Sequence, residues 1–139
     1  LLHGIGEYLI HIIEPELAKT IDEQVEGGAA RRKTQLELFG FDYTMAGSEL
    51  ARYWKFPDDI ADAILWQQQP AGSGALLPYA ALLYLARYMS LYREQVSAGN
   101  FDELPVKLIH AAHMNLDDTY SRMRDFTEDN EDIMAMLQQ

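Results

Sequence analysis

Apolar residues in this chain recur at spacings of three and four, and no stretch alternates strictly between apolar and polar. Three-and-four spacing is the signature of a helix face, and alternation that of a half-buried strand, so the pattern restricts the chain to an all-α fold. Helices are expected over about 2–13, 15–26, 30–39, 43–54, 57–68, 75–97, 104–113, 116–126 and 128–138. The breaks between them have chemical causes. Gly27-Gly28, Gly40 and Gly99-Asn100 can close helices at their C-terminal ends. Pro57 fixes φ at a first helical position, and Asp58 and Asp59 then favour the positive end of the dipole. No internal repeat or low-complexity run divides the 139 residues, so residues 1–139 are read as one domain, a multi-helix bundle.

Two stretches strain a simple amphipathic bundle. Residues 75–89, "ALLPYAALLYLARYM", are apolar nearly all round, which suits a helix in the middle of a bundle. Their one charge, Arg87, either snorkels to the side or is buried against a carboxylate. The second stretch is "ILWQQQP", residues 64–70. Its spacing carries the apolar face of Ile60, Ile64 and Leu65 on to Gln67 and Gln68, so two neutral amides point at the buried side.

Charge and composition exclude several functions. A formal charge of −11 repels a phosphate backbone, so nucleic acid is not expected as a partner. The absence of cysteine removes disulfides, zinc-thiolate sites and a thiol nucleophile. No apolar run is long enough to span a bilayer, and no basic signal region opens the chain, which implies a soluble, cytoplasmic protein. "LLHGIGEYLIHII" begins inside a helical pattern without a capping residue, as expected of a piece of a longer chain lacking N-terminal helices.

Few groups invite catalysis. His110 and His113, three apart on an expected helix, could share a face toward a metal. Asp117 and Asp118 lie across a break at Asn115, however, and Asn115 fits better as the N-cap of the next helix. His3 and His11 are two turns apart, too far to chelate one ion together. The basic cluster Arg31-Arg32-Lys33 reads as solvated surface. The acids of "TEDNED" (127–132) read as a helix start capped by Thr127. No phosphate loop, nucleophile elbow or dinucleotide fingerprint is present.

Taken in order, "LLHGIGEYLI", "ELFGFDYTMAGSELARYWKFPDDIADAI", "LWQQQP" and "ALLYLARYMS" resemble the later part of the HDOD domain, a bacterial relative of the HD metal-dependent phosphohydrolases. The resemblance implies a helical bundle of the HD/HDOD type. It also implies a vestigial site at His3, Gly4, Tyr43, Gln67, Gln68 and Arg87. His3 keeps the family's histidine, whereas Gly4 replaces the metal-bridging Asp and Tyr43 a histidine; Gln67 and Gln68 replace a His-His pair, and Arg87 a late Asp. Glycine offers no donor, a phenol is protonated at neutral pH, amides bind metals feebly and a guanidinium repels them. No metal and no cofactor are therefore expected. Either Gln67, Gln68 and Arg87 fill the old site by hydrogen bonding, with Glu7 a candidate partner for Arg87, or all three are partly solvated.

Three functions follow in order of preference. The first is a non-catalytic signalling module acting through protein partners or attached signalling domains. Tyr84, Tyr88 and Tyr92, one stripe at i, i+4, i+8, are either core or part of an interaction face. The second is a phosphohydrolase with a rearranged site, drawing on His3 with His110 or His113. The third is a degenerate enzyme that still binds a nucleotide around Tyr43, Gln67 and Arg87. Uncovered apolar faces would also favour a homodimer.

Overall fold

A computed structural model describes residues 2–72, 77–92, 106–115, 117, 118 and 121. Among them the fold is all-helical. A 3-10 turn at Leu2–Gly4 leads into α1 (Ile5–Ile13), followed by α2 (Pro15–Glu26), α3 (Arg31–Phe39) and α4 (Tyr43–Tyr53). Then come α5 (Asp58–Trp66), α6 (Pro78–Leu91) and α7 (Val106–Ala111). No described helix is long and apolar enough to cross a membrane. The cap expected at Gly99-Asn100, the helix over 128–138 and most of that over 116–126 lie outside the described residues.

The helix ends follow local chemistry. Pro15 sits in the first turn of α2, where a missing N–H costs nothing. Gly28 and Gly40 take positive φ of 97° and 76° after α2 and α3, and the Gly40 N–H returns to the Leu36 carbonyl at 3.0 Å. Asn115 does cap: its Oδ1 accepts from the N–H groups of Asp117 and Asp118 at 3.0 and 3.4 Å. Pro57 departs from expectation. With ψ at 145° it stands just outside α5 as the capping position, and Asp58 is the first helical residue. His110 and His113 do not share a helix face either, because α7 ends at Ala111 and His113 takes a left-handed φ of 55°.

Packing is organised by one close crossing. α1 meets α4 at Gly6 and Gly47, and a Cβ on Gly6 would lie 1.9 Å from the Tyr43 carbonyl oxygen. Only hydrogen fits there. On one side of the crossing Ile10, Ala18 and Tyr43 form a core with Phe39. On the other, Ala51, Ala61 and Ile64 pack with Leu2, Ile60 and Leu83. A third cluster joins α6 to α7 through Leu85 and Ile109.

α6 is not the central helix its composition suggested. It buries Ala80, Ala81 and Leu85 against α5 and α7, while Tyr79, Leu82 and Leu91 are more than 40% exposed. Arg87 lies on the open flank, so the snorkelling alternative is the one realised.

Candidate functional site

The first turn of α4 organises the site. Asp42 immediately precedes it, wholly buried, and its Oδ1 accepts from the Thr44 N–H (2.8 Å), the Met45 N–H (3.1 Å) and the Thr44 hydroxyl (2.6 Å). Its Oδ2 accepts from Arg32 Nε at 2.6 Å. Burial alone would raise the Asp42 pKa, but the bonds from Thr44, Arg32 and Met45 outweigh it and hold the carboxyl below its ordinary value. The next N–H, that of Tyr43, donates to Gln35 Oε1 at 2.9 Å. Tyr43 is thereby fixed at both its backbone and its ring.

That ring reaches one of the two glutamines, and the other bonds main chain. Gln68 Nε2 donates to the Tyr43 hydroxyl at 2.5 Å, and Gln67 Nε2 donates to the carbonyls of His3 (3.1 Å) and Ile64 (3.0 Å). Gln67 is 1% exposed, so the helix does bury this amide. The filled-site alternative therefore describes Gln67 and the Gln68 amide nitrogen, but Gln68 is only half-buried and Arg87 is exposed, so it does not describe Arg87. It is incomplete at Gln67 Oε1, which is buried with no hydrogen-bond partner among the described residues.

α3 supplies what the sequence reading missed. Its buried face is polar, consisting of Thr34 and Gln35 with Arg31 and Arg32 half-buried beside them, while Leu36 and Leu38 are 43% exposed. Arg31 donates to Asp22 at 2.7 Å and to Glu7 at 3.3 Å, and Gln35 Nε2 lies 3.4 Å from the same Glu7 oxygen. Two of the three residues in the basic cluster are thus built into the interior polar network; Lys33 alone is solvated. Glu7 pairs with Arg31, not with Arg87, which has no carboxylate within 4.0 Å among the described residues. The missed signal was the trio Glu7, Asp22 and Asp42, acids on separate segments whose counter-ions had to come from somewhere.

His11 closes the network. Its Nε2 lies 3.0 Å from Asp22 Oδ2 and its Nδ1 2.8 Å from the Glu7 carbonyl. The bond to Asp22 raises the His11 pKa and, with Arg31, lowers that of Asp22. His11 therefore stabilises the fold fully below about pH 6.5, its ordinary value, and less as pH rises through its higher folded value. Both side chains are over a third exposed, so the contribution is held to less than about 1 kcal/mol. An NMR titration should find the His11 imidazole titrating above its ordinary value and returning toward it in Asp22→Asn. An unchanged titration in that variant would show the pair to be broken in solution.

His3, Gly4, Glu7, Tyr43, Gln68 and Arg87 line one open cleft of about 660 Å3, with Arg31 and Arg32 also on its wall. Five of the six positions that the resemblance singled out are brought to it, and Gln67 stands behind, bonded to the His3 carbonyl. Burial, with Arg87 among the lesser causes, pushes the His3 pKa down, and burial pushes that of Tyr43 up. Tyr84, Tyr88 and Tyr92 lie elsewhere. Tyr88 packs on the Leu85–Ile109 cluster and meets the Tyr92 ring in a tilted contact, centroids 4.5 Å apart, while Tyr92 is 40% exposed.

A divalent ion does not fit these residues. Gly4 has no donor, the Tyr43 phenol stays protonated and takes a hydrogen bond from Gln68, and three guanidiniums share the cleft. Glu7 and Asp22 already neutralise Arg31. Among the described residues no three His, Asp or Glu side chains converge as a metal requires.

A family model described as HDOD domain matches residues 1–70, which include His3, Gly4, Tyr43, Gln67 and Gln68 but not Arg87. Among solved structures, the chain is similar to the crystal structure of a "Putative phosphohydrolase" from Shewanella amazonensis SB2B, at 26% identity and a TM-score of 0.78. The match covers 89% of this chain and 47% of that one, so this chain spans about half its length. No curated protein matches.

Proposed function

The chain belongs to the HDOD-domain family, and from that premise we propose that it is a regulatory module without catalysis of its own, acting in bacterial signalling through protein–protein contact in the cytoplasm. The observation that carries this reading is the interior of the cleft. Gln68 bonds Tyr43, Gln67 bonds the chain at His3, and cationic Arg87 stands beside them. Metal-assisted phosphoester hydrolysis needs anionic or imidazole donors to hold an ion and lower the pKa of its water. Neutral amides and a guanidinium supply neither, and of the cleft's own His3, Glu7, His11 and Asp22 no three converge as an ion requires among the described residues. The polar groups serve instead to lock α1, α4 and α5 in register, leaving outer surfaces to transmit a state.

The test is loading and turnover. After incubation with zinc, manganese or iron and desalting, elemental analysis should find far less than one ion per chain. Neither a generic phosphodiester nor a cyclic dinucleotide should be hydrolysed above the metal-only blank. One tightly held ion with turnover would restore the phosphohydrolase reading.

A second reading has one observation in its favour. Arg87, without a carboxylate partner among the described residues, lines the cleft beside His3 and Gln68, a place where a nucleotide phosphate could sit. A thermal-shift screen decides it: a nucleotide that raises the melting temperature of the protein but not of Arg87→Ala supports retained binding.

A further inference from the structure

A second cavity shares no lining residue with the cleft. It is an open groove of about 450 Å3 along the seam of α1 and α4, walled by Ile10, Ile13, Phe39, Phe41, Met45 and Leu50 among others. Phe39 and Phe41 stack at 5.4 Å within that wall. The apolar surface continues outward through Ile13, 61% exposed, and Tyr53, 81% exposed, and along α1 through Ile12 at 78%. Among the described residues, the only charged ones on the groove are Glu14 and Glu49. The Glu14 carboxylate forms no ion pair and accepts no hydrogen bond among the described residues, and Glu49, itself 79% exposed, has only Arg52 at 3.8 Å.

We propose that this groove docks an amphipathic helix of a partner protein, its apolar stripe seated between α1 and α4 and its flanking lysine or arginine side chains set against Glu14 and Glu49. The proposal rests on the regulatory reading above and gives that partner its chemistry. A channel between two helices is shaped to take the ridge of a third, whose apolar residues at i, i+3, i+4 and i+7 form one stripe. The sign of the partner's charge follows from the rim. Both rim charges are negative and the chain carries a net −11, so a basic flank is attracted at long range and paired at contact. A second copy of this chain fits less well, since a two-fold contact would set glutamates against glutamates.

The test uses the full 139-residue chain and a synthetic peptide of about 18 residues, long enough to hold a helix. The peptide carries a leucine stripe flanked by lysines; a companion carries glutamates in their place. Fluorescence anisotropy should show the lysine peptide binding at least about tenfold more tightly than the glutamate peptide, a difference of about 1.4 kcal/mol. Met45→Glu should weaken the lysine peptide by a similar factor, although the added negative charge would strengthen any diffuse attraction. Glu14→Gln should weaken it several-fold and flatten its salt dependence. Tyr53→Lys, on a residue that is almost wholly solvated, serves as a second blocking variant should Met45→Glu fail to fold. Equal affinity for the two peptides, or binding indifferent to both blocking variants, overturns the proposal. So does a dimer in sedimentation that Met45→Glu dissolves while no peptide binds, because the occupant would then be a second copy. None of these outcomes touches hydrolysis, on which the regulatory reading stands or falls.

Discussion

Asp42→Ala is expected to lower the unfolding free energy by about 3–5 kcal/mol, read in urea as an earlier midpoint at unchanged slope. The magnitude comes from what the carboxylate does in one place. It caps α4 by accepting from two backbone N–H groups, a role that alone is worth about 0.5–2 kcal/mol. It also neutralises Arg32, whose guanidinium would be left half-buried without its counter-ion. These losses overlap, so they do not simply add. Asp42→Asn keeps a capping oxygen while losing the charge, and should fall between wild type and alanine. A double-mutant cycle with Arg32→Ala should show coupling, since removing both partners strands neither. The same bonds set the acid sensitivity. Because the folded pKa of Asp42 is depressed, its contribution is whole above the ordinary carboxylate value and is lost as pH falls through the lower folded one. Asp42→Asn should therefore flatten the acid limb of the stability curve. The Tyr43–Gln68 bond depends on the same cap, so the tyrosine hydroxyl should become freer in the alanine variant.

How far the sequence reveals this arrangement depends on what each residue answers to. Helices α1, α2, α4 and α5 were legible because their apolar spacing is a local property, and the end of α3 and the cap beyond α7 were legible because Gly40 and Asn115 act on their own neighbours. Gln67 and Gln68 were legible as buried-side amides for the same reason, since the helical period assigns a face whatever occupies it. The partners of those amides were not. Gln68 meets Tyr43 across 25 positions, and Gln35 reaches Glu7 across 28, separations that no local period encodes. α3 is the instructive failure. Its leucines face outward and its arginines inward because carboxylates on α1, α2 and the α4 cap outweigh the modest gain from burying two leucines. Arg87 was equally undecidable, as one long side chain can leave a helix in several directions. The family resemblance singled out six positions, five of which line the cleft; it did not reveal that α3 supplies the cleft's polar wall.

Gly6→Ala is expected to destabilise the protein by about 3 kcal/mol or more, at the upper end for an overpacked site. The added methyl would meet three backbone atoms: the Tyr43 oxygen at 1.9 Å, the Gly47 nitrogen at 2.7 Å and the Tyr43 carbonyl carbon at 2.8 Å. A side chain can rotate out of the way, but helix backbone cannot, so α1 and α4 must separate. Gly47→Ala makes the contrast: its nearest neighbours are methyls of Ile64 at 3.0 Å and Ile5 at 3.2 Å that can shift, and its one backbone neighbour, the Gly6 nitrogen at 3.2 Å, needs only a few tenths of an ångström, so the expected loss is smaller, about 1–2 kcal/mol. Gly4→Ala should be close to neutral: nothing lies within 4 Å of its Cβ position and its φ is an ordinary −102°. The ordering Gly6 well above Gly47, and Gly47 above Gly4, is the result to check in three parallel denaturation curves. Equal losses at Gly6 and Gly4 would mean that the helices do not cross this closely in solution. The openness at Gly4 also bears on function. A carboxylate would fit there without strain, so steric exclusion is not what keeps an acid from that position; Gly4→Asp should fold. It should still hold no divalent ion, because the phenol of Tyr43, the amide of Gln68 and the charge of Arg87 remain around it.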